Sequence, residues 1–486
     1  MILSNKQIRV FHTHTEVYPY TDKENEQIEN ALSIWINPEF RFDPFAFTVL
    51  NSTLYIPRGI SVPYIEHTFH SQAIVIKEAD PAESVRNTYM TSPPKNTLQE
   101  QAIDFLCNDG EYKSLSTCSQ QALTLQTGEG KTFVTVHSIL NYRTKAIVIC
   151  HQDKIKTQWI DTFLAHTNAK IEQLVNIEGS SMMTSIINGT IKGDFYFINH
   201  QTLQSYAREN SWLAVREFFK KIAVGIKVFD EAHLEFRNVL MVDFFSNVKK
   251  TFYLTANFER SDKNEKRLFM KVFSSVHQFG EGNYSGPEKR KHIIYIPVLY
   301  NSSPSMNEIH QCMNAYGFNV LNFTKYALHG DEDNTMIRKF FRVLDNVIGV
   351  EGKILITTAR IEDTIYLKEK IEEVYPNSGK NISTINSTNT KEANEMAKKS
   401  DIICTTIKSC GTGVDIKGLR AVINLEPFSS QVTANQLSGR LREYAPDKDT
   451  YFFDFIDLGF NSCERQYKTK LKYLKRKCKE IKIMSI

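Results

Sequence analysis

At 486 residues the chain has room for about three domains of ~100–200 residues each. Its composition, 41% hydrophobic and 23% charged, is that of a globular protein and excludes global disorder or a fibrous design. No apolar run approaches the ~18–20 residues that cross a bilayer, and Met1 to Val10 has no signal-peptide core, so a cytoplasmic protein is expected. The eight cysteines are scattered without a C-x-x-C pair, as reduced thiols are. A net charge of +4 is too weak to argue for nucleic acid from the whole chain, but much of it sits at the C-terminus.

Residues 1–90 read as a small α/β domain. Phe47-Thr48-Val49-Leu50 and Thr53-Leu54-Tyr55-Ile56 have strand composition and are joined by Asn51-Ser52, a tight hairpin. The cluster Phe40-Arg41-Phe42, with Phe45, Phe47 and Arg58, fits two readings. Its rings stack bases beside cations that hold phosphates, or core Phe simply alternates with exposed Arg. His12 and His14 share a strand face but have no carboxylate or cysteine at a metal-site spacing. Ser92-Pro93-Pro94 then breaks regular structure and marks a linker.

Over residues 95–283 short apolar strands alternate with helical stretches, which predicts a parallel sheet covered by helices. The strands expected are Ala122–Leu125, Ala146–Cys150, Phe195–Ile198, Val224–Phe229 and Thr251–Ala256. The first runs into Gln126-Thr127-Gly128-Glu129-Gly130-Lys131-Thr132, ahead of a helical run from Phe133 to Leu140. Glycines there let backbone N–H groups close around phosphate oxygens, the helix adds the positive end of its dipole, and Lys131 supplies a cation. A strict phosphate loop has Gly at the position of Leu125. Thr132 is placed to put its hydroxyl on Mg²⁺. The fourth strand ends in Asp230-Glu231-Ala232-His233. A first carboxylate that holds Mg²⁺ and a second that orients the attacking water are what ATP hydrolysis needs.

The polar run Gly280 to Pro287 marks a second boundary, and residues 288–463 read as another α/β domain without its own phosphate loop. Its strands are expected at His292–Leu299, Lys353–Thr358, Ile402–Cys404 and Ala421–Asn424. In residues 464–486, Tyr467, Leu471, Leu474, Cys478 and Ile481 recur at helical spacing among lysines, which predicts a basic amphipathic C-terminal helix.

The order of these motifs resembles that of superfamily 2 helicases of the DExH/DEAH group, and most of all the phage UvsW-type DNA helicases with their XPB- and RecG-like relatives. The resemblance implies an α/β fold of two tandem RecA-like parallel-sheet domains, with the small N-terminal domain reading DNA. Gln99 in Leu98-Gln99-Glu100-Gln101-Ala102 resembles the adenine-contacting glutamine, so the ATP site would comprise Gln99, Thr127, Gly128, Glu129, Gly130, Lys131 and Thr132. Gly413 and Asp415, in the stretch Thr405 to Asp415 that resembles motif V, would join it. Mg²⁺ would fall to Thr132 and Asp230. Ala146–Trp159 resembles motif Ia, Asn199–Leu203 motif Ic and Ile354–Asp363 motif IV. These stretches and motif V imply DNA contacts from His151, Gln158, Gln201, Thr202, Thr358, Arg360, Thr405 and Thr406. Leu254–Asp262 resembles an extended motif III, with Asn257 and Phe258 departing from it, so His233, Thr255 and Ala256 would couple hydrolysis to strand binding. Gln436–Glu443 resembles motif VI: Gln436, Arg440 and Arg442 would act catalytically beside Asp230 and Glu231, with Arg440 as arginine finger. Glu443 stands where the family has its second arginine.

The implied function is an ATP- and Mg²⁺-dependent DNA helicase or translocase that remodels forks, R-loops or recombination junctions. Its partners would be single-stranded and branched DNA and proteins of replication, recombination or repair, in the cytoplasm of a phage-infected host. Three alternatives remain: the DNA-translocating subunit of a restriction complex, an ATP-gated annealing module, and an RNA helicase. The C-terminal helix either grips nucleic acid or packs by its apolar stripe.

Overall fold

The computed structural model describes residues 6–21, 28, 32, 46–76, 78–86, 88–107, 120–125, 128–255, 263–280, 291–315, 317–330, 336–411, 416–442, 444 and 448–486. It divides into two compact units, Met1–Gly286 and Pro287–Ile486.

The first unit holds two sheets. Strands β1 (Gln7–Val10), β2 (His14–Tyr18), β3 (Thr48–Leu50), β4 (Thr53–Pro57) and β5 (Ala73–Val75) pair in the order β3-β4-β2-β1-β5. All pairs are antiparallel except β1 with β5. The β3–β4 hairpin closes through Asn51 and Ser52, both left-handed at φ 49° and 57°, so the turn follows the strand twist. Helix α1 (Val62–Phe69) is capped by Ser61. Phe47 and Arg58 of the aromatic and basic cluster are buried and half-buried, whereas Phe40, Arg41, Phe42 and Phe45 lie outside the described residues.

The second sheet is all parallel. Its strands are β6 (Gln120–Thr124), β7 (Ala146–Cys150), β8 (Leu174–Asn176), β9 (Phe195–Asn199), β10 (Ile226–Phe229), β11 (Lys250–Thr255) and β12 (His277–Phe279), in the order β12-β6-β11-β10-β7-β9-β8. Continuous apolar runs suit strands covered on both faces. Thus Ile147 and Ile149 of β7 face one core, which also holds Phe244 and Phe245, while Val148 and Cys150 face another, with Trp159 and Phe163. Helices α2 (Thr97–Cys107), α3 (Lys131–Asn141), α4 (Asp153–His166), α5 (Ser180–Ile187), α6 (His200–Asn210), α7 (Trp212–Ile222), α8 (Phe236–Phe244) and α9 (Lys263–Val272) connect and cover the strands.

One core is shared by both sheets. Ile8, Val10, Val17, Leu54 and Ile56 pack in the same cluster as Val242, Phe244 and Phe273. Polar contacts fix the docking: Thr13 Oγ1 donates to Ser246 O at 2.6 Å, and Arg237 Nη1 to Phe47 O at 2.9 Å. Arg216 on α7 donates to Glu16 Oε1 at 2.6 Å and lies 5.7 Å from the rings of both Tyr55 and Phe245. His14, read above as lacking a carboxylate partner, stands 3.3 Å from Glu16 Oε1 and is an arm of this contact.

The second unit is a parallel sheet of β13 (Ile293–Tyr300), β16 (Lys353–Thr358), β17 (Ile382–Ile385), β18 (Ile402–Thr406), β19 (Leu419–Asn424), β20 (Thr450–Asp457), β21 (Glu480–Ile481) and β22 (Met484–Ser485), with a two-residue hairpin, β14 (Met313–Asn314) and β15 (Gly317–Phe318). The order is β17-β18-β16-β19-β20-β13-β21, and β22 also pairs with β13. Helices α10 (Met306–Gln311), α11 (Val320–His329), α12 (Met336–Val347), α13 (Ile361–Val374), α14 (Lys391–Ala397), α15 (Ile407–Gly411), α16 (Gln431–Arg440) and α17 (Asn461–Lys477) complete it.

The C-terminal element differs from expectation. The helix ends at Lys477, so residues 478–486 are not helical and Ile481 is not on its stripe. Cys478 turns extended, and Glu480–Ile481 and Met484–Ser485 add to β13, whose open edge satisfies their backbone. Tyr467, Leu471, Leu474 and Cys478 pack inward as the spacing predicts.

Burial pushes the Glu16 carboxyl up, but His14 and Arg216 outweigh it and hold it at about 2, against 4.5 for an ordinary Glu. A carboxyl depressed in the folded state contributes stability above pH 4.5 and loses it as the pH falls towards 2. Arg216→Ala should therefore cost ~2 kcal/mol in urea denaturation at pH 7, and the gap to wild type should shrink between pH 4.5 and 2. Equal stability at pH 7 would show that docking does not depend on this pair.

Candidate functional site

Parallel pairing brings the separate motifs of the first unit to one sheet edge. Thr124, at the end of β6, is in register with Thr255 of β11, and Phe229, at the end of β10, with Tyr253 of β11. The loop after β6 and the carboxylates after β10 therefore flank the end of a single strand.

Gly128 and Gly130 adopt φ of 89° and 90°, which turns the loop back on itself ahead of α3. Lys131 Nζ donates to the Leu125 carbonyl at 3.0 Å and stands 3.8 Å from Glu231 Oε1. Thr132 follows in the first turn of α3. Gln99, on α2, donates from Nε2 to the Glu129 carbonyl at 3.3 Å and accepts the Lys95 N–H at 2.9 Å, so it braces the loop from behind. Thr127 lies outside the described residues.

Asp230 is buried, and both of its oxygens are engaged. Oδ1 accepts the Glu231 N–H at 2.9 Å, and Oδ2 accepts the Trp159 indole N–H at 2.8 Å. Burial, then the Glu231 charge, raise its pKa above the usual carboxylate value. Glu231 itself is left-handed at φ 47°, a conformation that costs a residue with a side chain on the order of 1–2 kcal/mol. That turn sets its carboxylate beside Lys131. Its Oε2 makes no hydrogen bond, although His233 Nδ1 is 3.4 Å away. His233 Nδ1 lies 2.9 Å from Thr255 Oγ1, which joins the carboxylate turn to the end of β11. Ala256 lies outside the described residues.

A left-handed glycine loop at a helix start, a threonine in the first turn, a buried Asp230 and, next to it, a half-buried Glu231 facing Lys131 fit a magnesium nucleotide. The loop N–H groups would take phosphate oxygens, and Thr132 and Asp230 would hold the ion. Two further histidines approach this edge: His151 after β7 and His200 at the start of α6. Neither ring makes a hydrogen bond, and burial lowers both pKa values, that of His200 to about 3, so both are neutral near pH 7. His200 stacks on Phe229 at 5.9 Å.

The residues expected on nucleic acid separate by exposure. Gln201 is exposed, Gln158, His151 and Arg360 are half-buried, and Thr202, Thr358, Thr405 and Thr406 are buried. The hydroxyls of Thr405 and Thr406 donate to Ile385 O at 2.7 Å and Ser409 Oγ at 2.9 Å. Arg360 lies 3.6 Å from Asp363, which also takes His329 at 2.9 Å. The Thr202 N–H is already held by the Asn199 side chain at 2.7 Å, so a phosphate contact from Thr202 would need its hydroxyl, and contacts from the Thr405 and Thr406 hydroxyls would have to break the bonds just described. Gln436 and Arg440 stand half-buried on α16 and Arg442 is exposed just after it, while Gly413, Asp415 and Glu443 lie outside the described residues. Sequence reasoning missed the part played by Trp159, quoted within the motif Ia stretch but bonded to a residue 71 positions away.

Comparison with known proteins agrees with this architecture. Residues 94–260 match the ResIII family, described as Type III restriction enzyme, res subunit. Among solved structures, the chain is similar to S. cerevisiae Dbp5 bound to RNA and ADP BeF3, at 14% identity and a TM-score of 0.50, covering 80% of this chain and 89% of that one. It is similar to a fragment of a putative HsdR subunit of a type I restriction enzyme from Vibrio vulnificus YJ016, at 14% identity and a TM-score of 0.51, covering 81% and 70%. T4 UvsW aligns over 99% of both chains at 13% identity, but with a TM-score of 0.35, too low to carry an argument. No curated protein sequence matches. The class is thus defined by fold alone: two RecA-like parallel-sheet α/β domains in tandem, with a small N-terminal α/β region. No helix among the described residues is long and apolar enough to cross a membrane.

A Cβ at Gly130 would come within 2.4 Å of Gln99 Nε2, on a backbone already at φ 90°. Gly130→Ala should weaken binding of a fluorescent ATP analogue tenfold or more, by roughly 1.4 kcal/mol. Adding Gln99→Ala should recover part of that loss by removing the clash but not the strain.

Proposed function

We propose that this chain is an ATP-hydrolysing motor of the superfamily 2 helicase type that moves on DNA and remodels branched substrates such as forks, R-loops or recombination junctions. The observation that carries this reading is the meeting of Lys131 and Glu231 at 3.8 Å, beneath a left-handed glycine loop and beside a buried Asp230. In it, the N–H groups of Gly128 to Lys131 bind phosphate oxygens. Lys131 would exchange the Leu125 carbonyl for a phosphate oxygen, and Thr132 and Asp230 would hold Mg²⁺. Bound there, the ion would offset charge on the β- and γ-phosphates as the bond between them breaks. Glu231, lifted by its left-handed backbone, orients the attacking water and accepts its proton. His233, between Glu231 and Thr255, relates that step to the end of β11. Arg440 on α16 is assigned to neutralising γ-phosphate charge, with Gln436 and Arg442 near it in sequence.

Contacts to phosphates carry no sequence information, which suits a motor that passes any base. The likeness to the UvsW type in motif order supports DNA as the track. The match of residues 94–260 to the restriction-enzyme family favours one second reading, a DNA-translocating subunit of a restriction complex.

Lys131→Ala should abolish nucleic-acid-stimulated phosphate release, and Glu231→Gln should lower kcat by about a hundredfold or more while ATP still binds. Turnover unchanged in either variant overturns the site. Comparing stimulation by single-stranded DNA, forked DNA and RNA, followed by strand displacement, separates the readings. Fork unwinding supports the helicase, triplex displacement without unwinding the restriction translocase, and stimulation by RNA alone an RNA motor. On α17, Arg465, Lys468, Lys472, Lys475 and Arg476 are exposed, opposite the packed stripe. Replacing Lys472, Lys475 and Arg476 with Ala should make the log–log salt slope of DNA binding shallower by ~0.9 for each phosphate the helix no longer neutralises. An unchanged slope assigns the helix to packing alone.

A further inference from the structure

We propose that Trp159 is a positioning residue that ties the Asp230 carboxylate to α4, so that nucleic acid engaging the starts of α4 and α6 is registered at the ATPase site; this rests on the motor reading above. Of the two bonds to Asp230, that from the Glu231 N–H is local and would survive any rigid movement of the turn. The bond from Trp159 Nε1, at 2.8 Å and 71 residues away, is the one that orients the carboxylate against the rest of the fold. An indole N–H donates and cannot accept, so the bond has only one sense. Trp159 is 1% exposed and packed in the core with Val148, Phe163 and Phe197, so its ring moves only with α4.

The other end of α4 is tied to the second nucleic-acid candidate. Asp153 accepts from Asn199 Nδ2 at 2.8 Å and pairs with Lys156 at 2.8 Å, and Lys156 in turn donates to Ile177 O at 3.0 Å. Asn199 Oδ1 caps α6 by accepting the Thr202 N–H at 2.7 Å. A continuous path of short bonds and one rigid helix therefore runs from Thr202 through Asn199, Asp153 and Trp159 to Asp230. Gln158 and Gln201 stand on it, half-buried and exposed. At 2.8 Å the bond has ordinary length and geometry, so a displacement of α4 that lengthens or misaligns it would loosen the carboxylate. Bonded and released forms are the two discrete arrangements that coupling requires.

The test uses the full chain with Trp159→Phe, which keeps a buried ring and removes the donor. Mn²⁺ serves as the metal probe, titrated by electron paramagnetic resonance onto the ADP-bound protein, a measurement independent of turnover. Losing a donor to a charged acceptor should weaken Mn²⁺ binding about tenfold or more. It should also bring the ratio of ATPase rates with and without single-stranded DNA close to one, with DNA affinity unchanged. If W159F is folded and keeps both the Mn²⁺ affinity and the stimulation ratio, Trp159 has no such role. If no nucleic acid accelerates the wild-type enzyme, the motor reading falls instead, and with it the coupling. Should W159F fail to fold, the wild-type indole reports in its place. With Trp35 and Trp212 replaced by Phe, Trp159 is the sole tryptophan emitter, and saturating DNA without nucleotide should shift its fluorescence. An unchanged spectrum overturns the proposal.

Discussion

The site of this protein depends on parallel strand pairing about β11. Because β6 and β10 both pair with it in the same direction, a loop near residue 130 and a turn near residue 231 end at one edge. Lys131 can then reach Glu231 without any long loop. Parallel pairing also places an α-helix after each strand, so the N-terminal end of α3 points at the edge where phosphate would sit. Glu231 bears the cost of closing the turn in its left-handed backbone, and the Thr255 and His233 contact holds that turn in place.

Beneath that edge, buried charge is kept only where it is fully engaged. Lys227, three residues before Asp230, donates to Asp243 and Ser246, each at 2.6 Å. Asp243 also accepts from Tyr253, whose hydroxyl accepts from Gln120. Burial lowers the Lys227 pKa and raises that of Asp243, and each partner opposes the shift of the other. Ser246 in turn offers its carbonyl to Thr13 of the N-terminal sheet. The small sheet is therefore continuous with the polar interior under the carboxylate strand, rather than an appendage on its surface.

The second unit repeats this device around Asp454. That carboxylate, fully buried in β20, accepts from Tyr295, Asn424 and Lys470 of α17, while Lys470 also lies 4.1 Å from the Phe428 ring. Glu426, just after β19, is pushed up to about 7 by burial, so it titrates near neutrality. A lysine buried within a basic helix shows that one of its cations serves the fold, while the exposed series on the other face stays in solvent.

Sequence by itself determined the strands buried on both faces, because β7 and β9 read as nearly continuous apolar runs and β10 and β11 are apolar apart from Lys227 and from Lys250, Thr251 and Thr255, and it set the order of the nucleotide loop and the carboxylate pair. It did not reveal β8, β12 or β17, which are three or four residues long and owe their strand form to neighbours. It also missed β20, whose apolar run is interrupted by Asp454 and Asp457, both engaged by distant partners. The end of α17 at Lys477 was hidden because lysine-rich spacing continues past it, and only the open edge of β13 made strand pairing the better use of that backbone. Tertiary structure alone decided that the hydroxyls of Thr405 and Thr406 turn inward and that Trp159 reaches Asp230. Local pattern encodes which residues seek a core; which partner a buried polar atom finds depends on chain segments tens of residues away.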